Sequence, residues 1–146
     1  MTVYIAASWK YYHTVEMLTD LIDAKGHTVW SFVRNNFEEF NQNGHSNFED
    51  WINSENADKA FMYDVGSATK ADLVIYIGPS GTDAWAEVGA AYGKGKGKIF
   101  GITGSKGEQV GLMRKMVTWF GTHYELLDAI DALAAGVYKI GYRHPP

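Results

Sequence analysis

The chain has 146 residues, no cysteine and a formal net charge of −4 at pH 7. This length is enough for one domain with a real core and too short for two ordinary domains, so we expect a single domain over residues 1–146. The acidic balance argues against a nucleic-acid polymer as partner, and the lack of cysteine excludes disulfides and thiolate metal sites.

Other classes of protein are also disfavoured. Hydrophobic residues at 46% and aromatic residues at 14% indicate a globular chain, not a disordered one. No apolar run approaches the length of a membrane span, and the N-terminus lacks a basic-then-apolar signal, so we expect a cytoplasmic protein without a membrane partner. The five histidines show no metal-ligand spacing, and we expect neither a metal nor a cofactor.

The beginning of the chain predicts a strand–helix–strand unit. Residues 3–7 form a short apolar run, which is typical of a buried strand. Apolar residues then recur at helical spacing over residues 14–25, and residues 27–32 predict the second strand. The residues at the carboxyl end of the first strand are Ser8, Trp9 and Lys10.

Residues 33–53 have no sustained period. This segment is either a binding lid that carries a short helix or a poorly ordered surface excursion, and both interpretations stay open. It contains more aromatic residues than a plain linker, so some of them should cover a pocket or a partner chain. These aromatic residues are Phe37, Phe40, Phe48 and Trp51.

A helix is predicted from a cap at Ser54 to about Lys70. Asp64 comes seven residues after Ala57 and three after Phe61, so its carboxylate lies on or beside the apolar face of this helix. A carboxylate at such a place is either satisfied by a local hydrogen bond or directed into a functional site.

The strongest pattern is a strand–loop–helix–strand unit in the middle of the chain. Leu73–Ile77 is a continuous apolar run, which is typical of a strand buried on both faces of a parallel sheet. A turn at residues 78–81 follows, Thr82 or Asp83 is a good helix cap, and Lys98–Ile102 predicts another strand. Ligands in such folds bind at the carboxyl ends of the strands, beside the loop and the helix start.

Glu87 lies in the first turns of that helix, next to the expected ligand crevice. It is either a favourable charge at the positive end of the helix dipole, or a solvated side chain, or a nucleophile. Small neighbours allow a ligand or another backbone to come close, which favours a role in a site. These neighbours are Ala84, Ala86, Gly89, Ala90 and Ala91.

Helix and strand patterns alternate to the end of the chain. A helical turn is predicted at residues 112–116, a short edge strand at residues 117–120, and a last helix from Tyr124 to about Val137. We therefore expect a flavodoxin-like or Rossmann-like α/β fold, with a mainly parallel five-stranded sheet and helices on both faces.

The residues Gly81-Thr82, followed by Glu87-x-Gly89-x-Ala91, resemble a motif of the nucleoside 2-deoxyribosyltransferase superfamily. This superfamily includes nucleoside 5′-monophosphate N-glycosidases. The resemblance implies that Glu87 is a nucleophile, because the Glu of the family's E-x-G-x-A segment attacks the anomeric carbon. It also implies cleavage of an N-glycosidic bond, by hydrolysis or base transfer, through a glycosyl-enzyme intermediate.

The resemblance extends over most of the chain. Residues 4–9 resemble the family's first strand and loop, and Leu112-Met113-x-x-Met116 resembles a segment of a small bacterial and phage branch. Asp64 and Asp72 resemble the D-x7-D segment ahead of the family's central strand, which implies that Asp64 protonates the departing base. Trp9 either stacks on that base or plugs the end of the first strand.

One position departs from the family pattern. The transferases carry an Asp six residues before the nucleophile, where this chain has Gly81, and Asp83 is one replacement for it. Small hydroxylic residues in this loop look more like the monophosphate hydrolases, so Ser8, Lys10 and Ser80 are candidate phosphate ligands, assisted by helix-start amides. The expected substrate-binding residues are Ser8, Trp9, Lys10, Ser80, Gly81, Thr82 and Asp83.

The resemblance also bears on partners. It implies a small nucleoside or nucleotide as substrate. It also implies a homodimer or larger homo-oligomer, because family members complete their active sites with a neighbouring chain. The alternative function is a non-catalytic nucleotide-binding module of the same fold, such as a sensor, and an assay for release of free base separates the two.

Overall fold

The structure is a computed structural model, and it describes residues 1–35, 45–95, 98–103 and 111–139. Within these ranges the strands are β1 (Thr2–Ala7), β2 (Thr28–Trp30), β3 (Leu73–Ile77), β4 (Lys98–Ile102) and β5 (Thr118–Phe120). The α-helices are α1 (Tyr12–Asp23), α2 (Phe48–Ile52), α3 (Glu55–Lys70), α4 (Thr82–Lys94) and α5 (His123–Ala134). Two short 3₁₀ helices span Trp9–Tyr11 and Leu112–Met116.

The five strands form one sheet in the order β2-β1-β3-β4-β5, and every neighbouring pair is parallel. This confirms the expected flavodoxin-like α/β fold. The strand order reverses between β1 and β3, where Val3 pairs with Leu73 and Ala7 with Ile77. Ligand sites of such folds lie outside the carboxyl ends of the strands at this reversal, so the loops after β1 and β3 flank the expected site.

Helices cover both faces of the sheet, and each face has its own core. On one face, α1 and α5 pack over alternate residues of the central strands, including Ile5, Ile75 and Phe100. On the other face, α3 and α4 pack over the residues between them, including Tyr4 and Tyr76. β3 is buried along its whole length, as its continuous apolar sequence predicts.

Helix boundaries differ from the prediction by one or two residues in several places. α1 begins and ends two residues earlier than expected. The cap of α4 is Gly81, not Thr82 or Asp83, because Gly81 is the last extended residue and its carbonyl accepts from the Trp85 N–H. The predicted cap of α3 is confirmed, since the Ser54 side chain accepts from the Ala57 N–H at 3.2 Å. None of the helices in the described ranges is long and apolar enough to cross a membrane.

The aromatic segment at residues 33–53 is described only in part. Phe37 and Phe40 lie outside the described residues. The short helix α2 carries Phe48, which is exposed, and Trp51, which is half-buried, with 6.1 Å between their ring centroids. The short helix agrees with one of the two interpretations of this segment, and its role as a lid stays a prediction.

Candidate active site

Asp64 and Glu87 come together through a third side chain, Tyr4. The Tyr4 hydroxyl forms a hydrogen bond with Glu87 Oε1 and lies 3.4 Å from Asp64 Oδ1. The three residues are 23 to 83 positions apart in the chain. They meet because Tyr4 points from β1 to the face of the sheet that α3 and α4 cover.

The elements place these side chains for simple packing reasons. α3 and α4 lie side by side over β1 and β3. Tyr4 points to this face because side chains alternate along β1, and Ala6 points the same way. Glu87 lies between the buried residues Ala84, Val88 and Ala91 of α4, so its side chain is drawn inward and only 9% of it is exposed.

Burial raises the pKa of both carboxyl groups. It raises the pKa of Glu87 to about 8, and the negative charges of Asp64 and Asp83 add to this rise while the hydrogen bond from Tyr4 opposes it. Burial also raises the pKa of Asp64 to about 6, with Asp83 again adding to the effect and Tyr4 opposing it. The pKa of Tyr4 is itself raised well above its usual value, first by burial and then by Glu87 and Asp64.

Such a pair can act in acid–base and nucleophilic chemistry. Because the pKa of each carboxyl is raised by burial, the pair holds a proton more readily than two solvated carboxyls do. A protonated carboxyl can donate to a leaving group, and an ionised one can attack or stabilise a positive centre. These are the two functions that cleavage of a glycosidic bond requires.

Ser80 links the loops that follow β1 and β3. Its Oγ accepts from the Ser8 backbone N–H at 2.9 Å and donates to the Ile77 carbonyl. Its own N–H donates to the Tyr76 hydroxyl at 2.9 Å. Because a serine hydroxyl has one hydrogen, this arrangement leaves Ser80 Oγ without a proton for a phosphate. The structure places Ser80 in the expected corner, and there it connects the two loops.

The start of α4 lies beside this corner. Gly81 is the cap and has no side-chain oxygen, so within the described part of the chain the cap residue accepts no hydrogen bond from the first amides of the helix through a side chain. Thr82 and Asp83 are the first two helical residues, and both are exposed. Asp83 lies one turn before Glu87 on the same side of the helix, and its charge raises the pKa of both carboxyls.

Trp9 and Lys10 occupy the 3₁₀ turn directly after β1. The Trp9 ring is 46% exposed and lies 4.2 Å from the ring of Phe32, centroid to centroid. The Lys10 ammonium lies 5.2 Å from the centre of the Tyr11 ring. Phe32 and Tyr11 pack against the core on the α1 face, so these contacts lie on the opposite side of the sheet from Asp64 and Glu87.

Tyr4 is the site residue that the sequence analysis missed. It was treated only as an apolar member of the first strand. A signal was present, because a strand buried on both faces leaves a phenol hydroxyl without water, and a buried tyrosine hydroxyl needs a polar partner. The two carboxylates predicted at the same edge of the sheet were the available partners.

No protein-family model matches the chain, and no curated protein matches it. Among solved structures, it is similar to a 2-deoxyribosyltransferase from Bacillus psychrosaccharolyticus. The TM-score is 0.66 and the identity 17%, over 86% of this chain and 90% of that chain. It is also similar to the CMP N-glycosidase BcmB of Clostridium botulinum. Here the TM-score is 0.59 and the identity 20%, over 91% of this chain and 99% of that chain. The chain therefore has the fold that a 2-deoxyribosyltransferase and a CMP N-glycosidase share.

Proposed function

We propose that this protein is a nucleoside 2-deoxyribosyltransferase-like enzyme that cleaves the N-glycosidic bond of a nucleoside or nucleoside 5′-monophosphate. The observation that carries the proposal is the pair formed by the buried carboxyl of Glu87 and the half-buried carboxyl of Asp64, which are joined through the Tyr4 hydroxyl. The pair lies on the face where α3 and α4 cover the strand-order reversal of the sheet. Two solved structures with this fold are enzymes named for such reactions.

The proposed reaction has two steps. In the first, the Glu87 carboxylate attacks the anomeric carbon, the bond from this carbon to the base nitrogen breaks, and Asp64 gives the base a proton. In the second, water or another base attacks the same carbon and releases Glu87, while Asp64 takes a proton from the incoming nucleophile. Two such displacements retain the configuration of the sugar.

The small residues around Glu87 support its role as nucleophile. Ala84 and Ala91 are buried beside it, and Ala86 and Gly89 occupy the neighbouring positions of the helix. A sugar ring needs such close approach, because attack requires about 3–3.5 Å between the carboxylate oxygen and the anomeric carbon. The carboxylate also stabilises the positive charge that develops on the sugar before the new bond forms.

The loops after β1 and β3 are the proposed substrate-binding surface. The first amides of α4, together with Ser8 and Lys10, would hold a 5′-phosphate, since a helix N-terminus attracts anions. Asp83 would accept hydrogen bonds from sugar hydroxyls one turn before Glu87. Trp9 packs on Phe32 on the α1 face of the sheet, away from Asp64 and Glu87, so it would plug the end of β1 and not stack on the base.

The proposal is tested by incubating the protein with a panel of nucleosides and nucleoside 5′-monophosphates and measuring free base. Release of base from any member supports the enzyme. A second free base added to the mixture separates transfer, which yields a new nucleoside, from hydrolysis, which yields the free sugar. Binding of a nucleotide without release of base after prolonged incubation would contradict catalysis and favour the sensor.

A further inference from the structure

Tyr76 is a buried ionisable residue that the proposed reaction does not use. It lies on β3, with its side chain buried on the face that α3 and α4 cover. Its hydroxyl accepts from the Ser80 backbone N–H at 2.9 Å and lies 3.4 Å from the Ser80 carbonyl oxygen, to which it donates. We propose that Tyr76 is a positioning residue, which holds the loops after β1 and β3 in place through Ser80. The inference rests on the proposed function, because these loops are the proposed substrate-binding surface.

Ser80 carries this contact on to the other loop. A phenol hydroxyl both donates and accepts, so the Tyr76 hydroxyl holds the N–H and the carbonyl of the same residue. The Oγ of that residue accepts from the Ser8 backbone N–H and donates to the Ile77 carbonyl. A chain of hydrogen bonds therefore runs from the interior of the sheet, through the loop after β3, to the loop after β1.

The ring of Tyr76 is supported by two tryptophans, which makes its hydroxyl a fixed anchor. The Trp85 ring, in the first turn of α4, lies 4.6 Å from it, and the Trp119 ring on β5 meets it edge-on at 5.7 Å, both centroid to centroid. Trp119 is two strands away, and Gly101 lies between the two residues in register. A Cβ on Gly101 would lie only 3.0 Å from the Trp119 ring, so the glycine lets that ring cross β4 and reach Tyr76.

Loss of the hydroxyl should therefore affect substrate binding and leave the chemical step nearly unchanged. In Tyr76→Phe the ring still fills the core and still contacts Trp85, so α4 and its Glu87 stay in place. The hydrogen bonds to Ser80 are removed, and the two loops lose their anchor. A tyrosine with a purely structural role would instead change the stability of the whole protein without a specific effect on these loops.

The first test needs no substrate. Amide hydrogen exchange is followed by ¹⁵N NMR in the wild type and in Tyr76→Phe. The amides of Ser80 and Ser8 should both exchange roughly two- to tenfold faster in the variant, because the hydrogen-bond chain that protects them has lost its anchor. Ser8 is the decisive position, since its amide donates to Ser80 Oγ and not to Tyr76. Unchanged exchange at Ser8 would overturn the inference.

Two controls exclude a general loss of stability. The Gly78 amide donates to the Ile102 carbonyl at 2.8 Å, so its exchange should not change in Tyr76→Phe. The matched variant is Tyr138→Phe, because the Tyr138 ring packs on Phe100 on the other face of the sheet, with 5.2 Å between the centroids. This variant should leave exchange in both loops unchanged. Equal acceleration of all these amides in both variants would reduce the effect to stability and overturn the inference.

Ser80→Ala tests the same chain of hydrogen bonds from its middle, and it replaces Tyr76→Phe if that variant does not fold. The substitution removes Oγ and keeps the backbone contacts to Tyr76. Exchange at Ser8 should therefore become faster, while the amide of residue 80 stays as protected as in the wild type. Fast exchange at both amides would show that Tyr76 does not hold this residue, which contradicts the proposal.

The second test uses whichever nucleoside or monophosphate the wild type cleaves. Tyr76→Phe should raise KM by roughly two- to tenfold and leave kcat within about twofold, since Glu87 is not displaced. Combined with Ser80→Ala, it should cost less than the product of the two single losses in kcat/KM, because both variants act on the same connection. A fall in kcat at constant KM, or the full product of the two losses, would contradict positioning through Ser80.

The two proposals fail in different ways. A wild type that releases no base from any substrate would count against the proposed function. The exchange measurements would still show whether Tyr76 holds the two loops, because they need neither substrate nor turnover.

Discussion

At the scale of single residues, Glu87 is unusual because a glutamate on a helix surface is normally solvated, and this one is buried. Burial of an ionisable group costs free energy, and groups whose pKa is shifted in this way are concentrated at functional sites. Both the proposed mechanism and the protein's response to pH follow from this residue.

We expect Glu87→Gln to abolish release of base while the fold stays intact. The amide keeps the shape of the side chain and the contact to Tyr4, but it cannot form the glycosyl-enzyme bond, so turnover should fall by at least roughly a thousandfold. The measurement is a single-turnover assay together with circular dichroism. The matched control is Glu16→Gln, at an exposed position of α1. Near wild-type turnover in Glu87→Gln would exclude Glu87 as nucleophile.

The raised pKa of Glu87 also predicts how stability depends on pH. Folding raises this pKa from 4.5 to about 8, so the folded state binds more protons than the unfolded state between these values. The contribution of Glu87 to the free energy of unfolding is therefore fully present below about pH 4.5, and it is lost as the pH rises through about 8.

Glu87→Gln removes this dependence, because an amide does not titrate. We expect the variant and the wild type to unfold at similar temperatures near pH 5, and the variant to unfold at a higher temperature near pH 9. Each 1 kcal/mol corresponds to roughly 2–4 °C for a chain of this size. Calorimetric scans at several pH values measure the difference. A constant difference at every pH would show that Glu87 ionises as freely in the folded protein as in the unfolded one.

At the scale of elements, the loops after β1 and β3 act as one unit because Ser80 connects them. This distinguishes two residues that the sequence analysis treated alike. Lys10 presents a charge at the surface, while the Ser80 hydroxyl gives its hydrogen to Ile77 and accepts one from Ser8.

We therefore expect different substrate profiles from two variants. Lys10→Ala should weaken use of a nucleoside 5′-monophosphate by roughly ten- to a hundredfold and barely change use of the nucleoside, because a charged hydrogen bond is worth about 1.5–3 kcal/mol. Ser80→Ala should lower kcat/KM for both substrates alike, because it removes the hydrogen bonds that connect the two loops. The measurement is kcat/KM for a matched nucleoside and monophosphate. Equal effects of Lys10→Ala on both substrates would make Lys10 structural.

Elements could be predicted where one local signal dominates. The run Leu73–Ile77 and the strand Lys98–Ile102 have their predicted bounds, because a short, mainly apolar run bounded by turn residues is typical of a buried strand. The predicted cap of α4, Thr82 or Asp83, was wrong by one or two residues. Thr82 is a residue type that often caps helices, but here the helix begins at Thr82 and Gly81 is the cap. Tyr4 could not be placed from local pattern, because its role depends on two carboxyls 60 and 83 residues away.

At the scale of the whole molecule, α3 exposes large apolar side chains next to the site. Phe61 is 67% exposed and Met62 72%, and they precede Asp64 by three and two residues. Tyr92, near the end of α4, is 61% exposed. A partner chain that covers this surface would also lie beside the mouth of the site, which agrees with the shared active sites that the family resemblance implies.

We propose that the protein forms at least a dimer through this surface of α3. Specific interfaces typically bury roughly 800 Å² from each partner around a few large apolar side chains, and a charge among them is costly. The wild type should therefore sediment as a dimer or larger oligomer at micromolar concentration, and Met62→Asp should sediment as a monomer with reduced activity. The control is Met17→Asp on α1, because Met17 is 65% exposed on the other face of the sheet. A wild type that is monomeric at these concentrations, yet fully active, would show that each chain completes its own site.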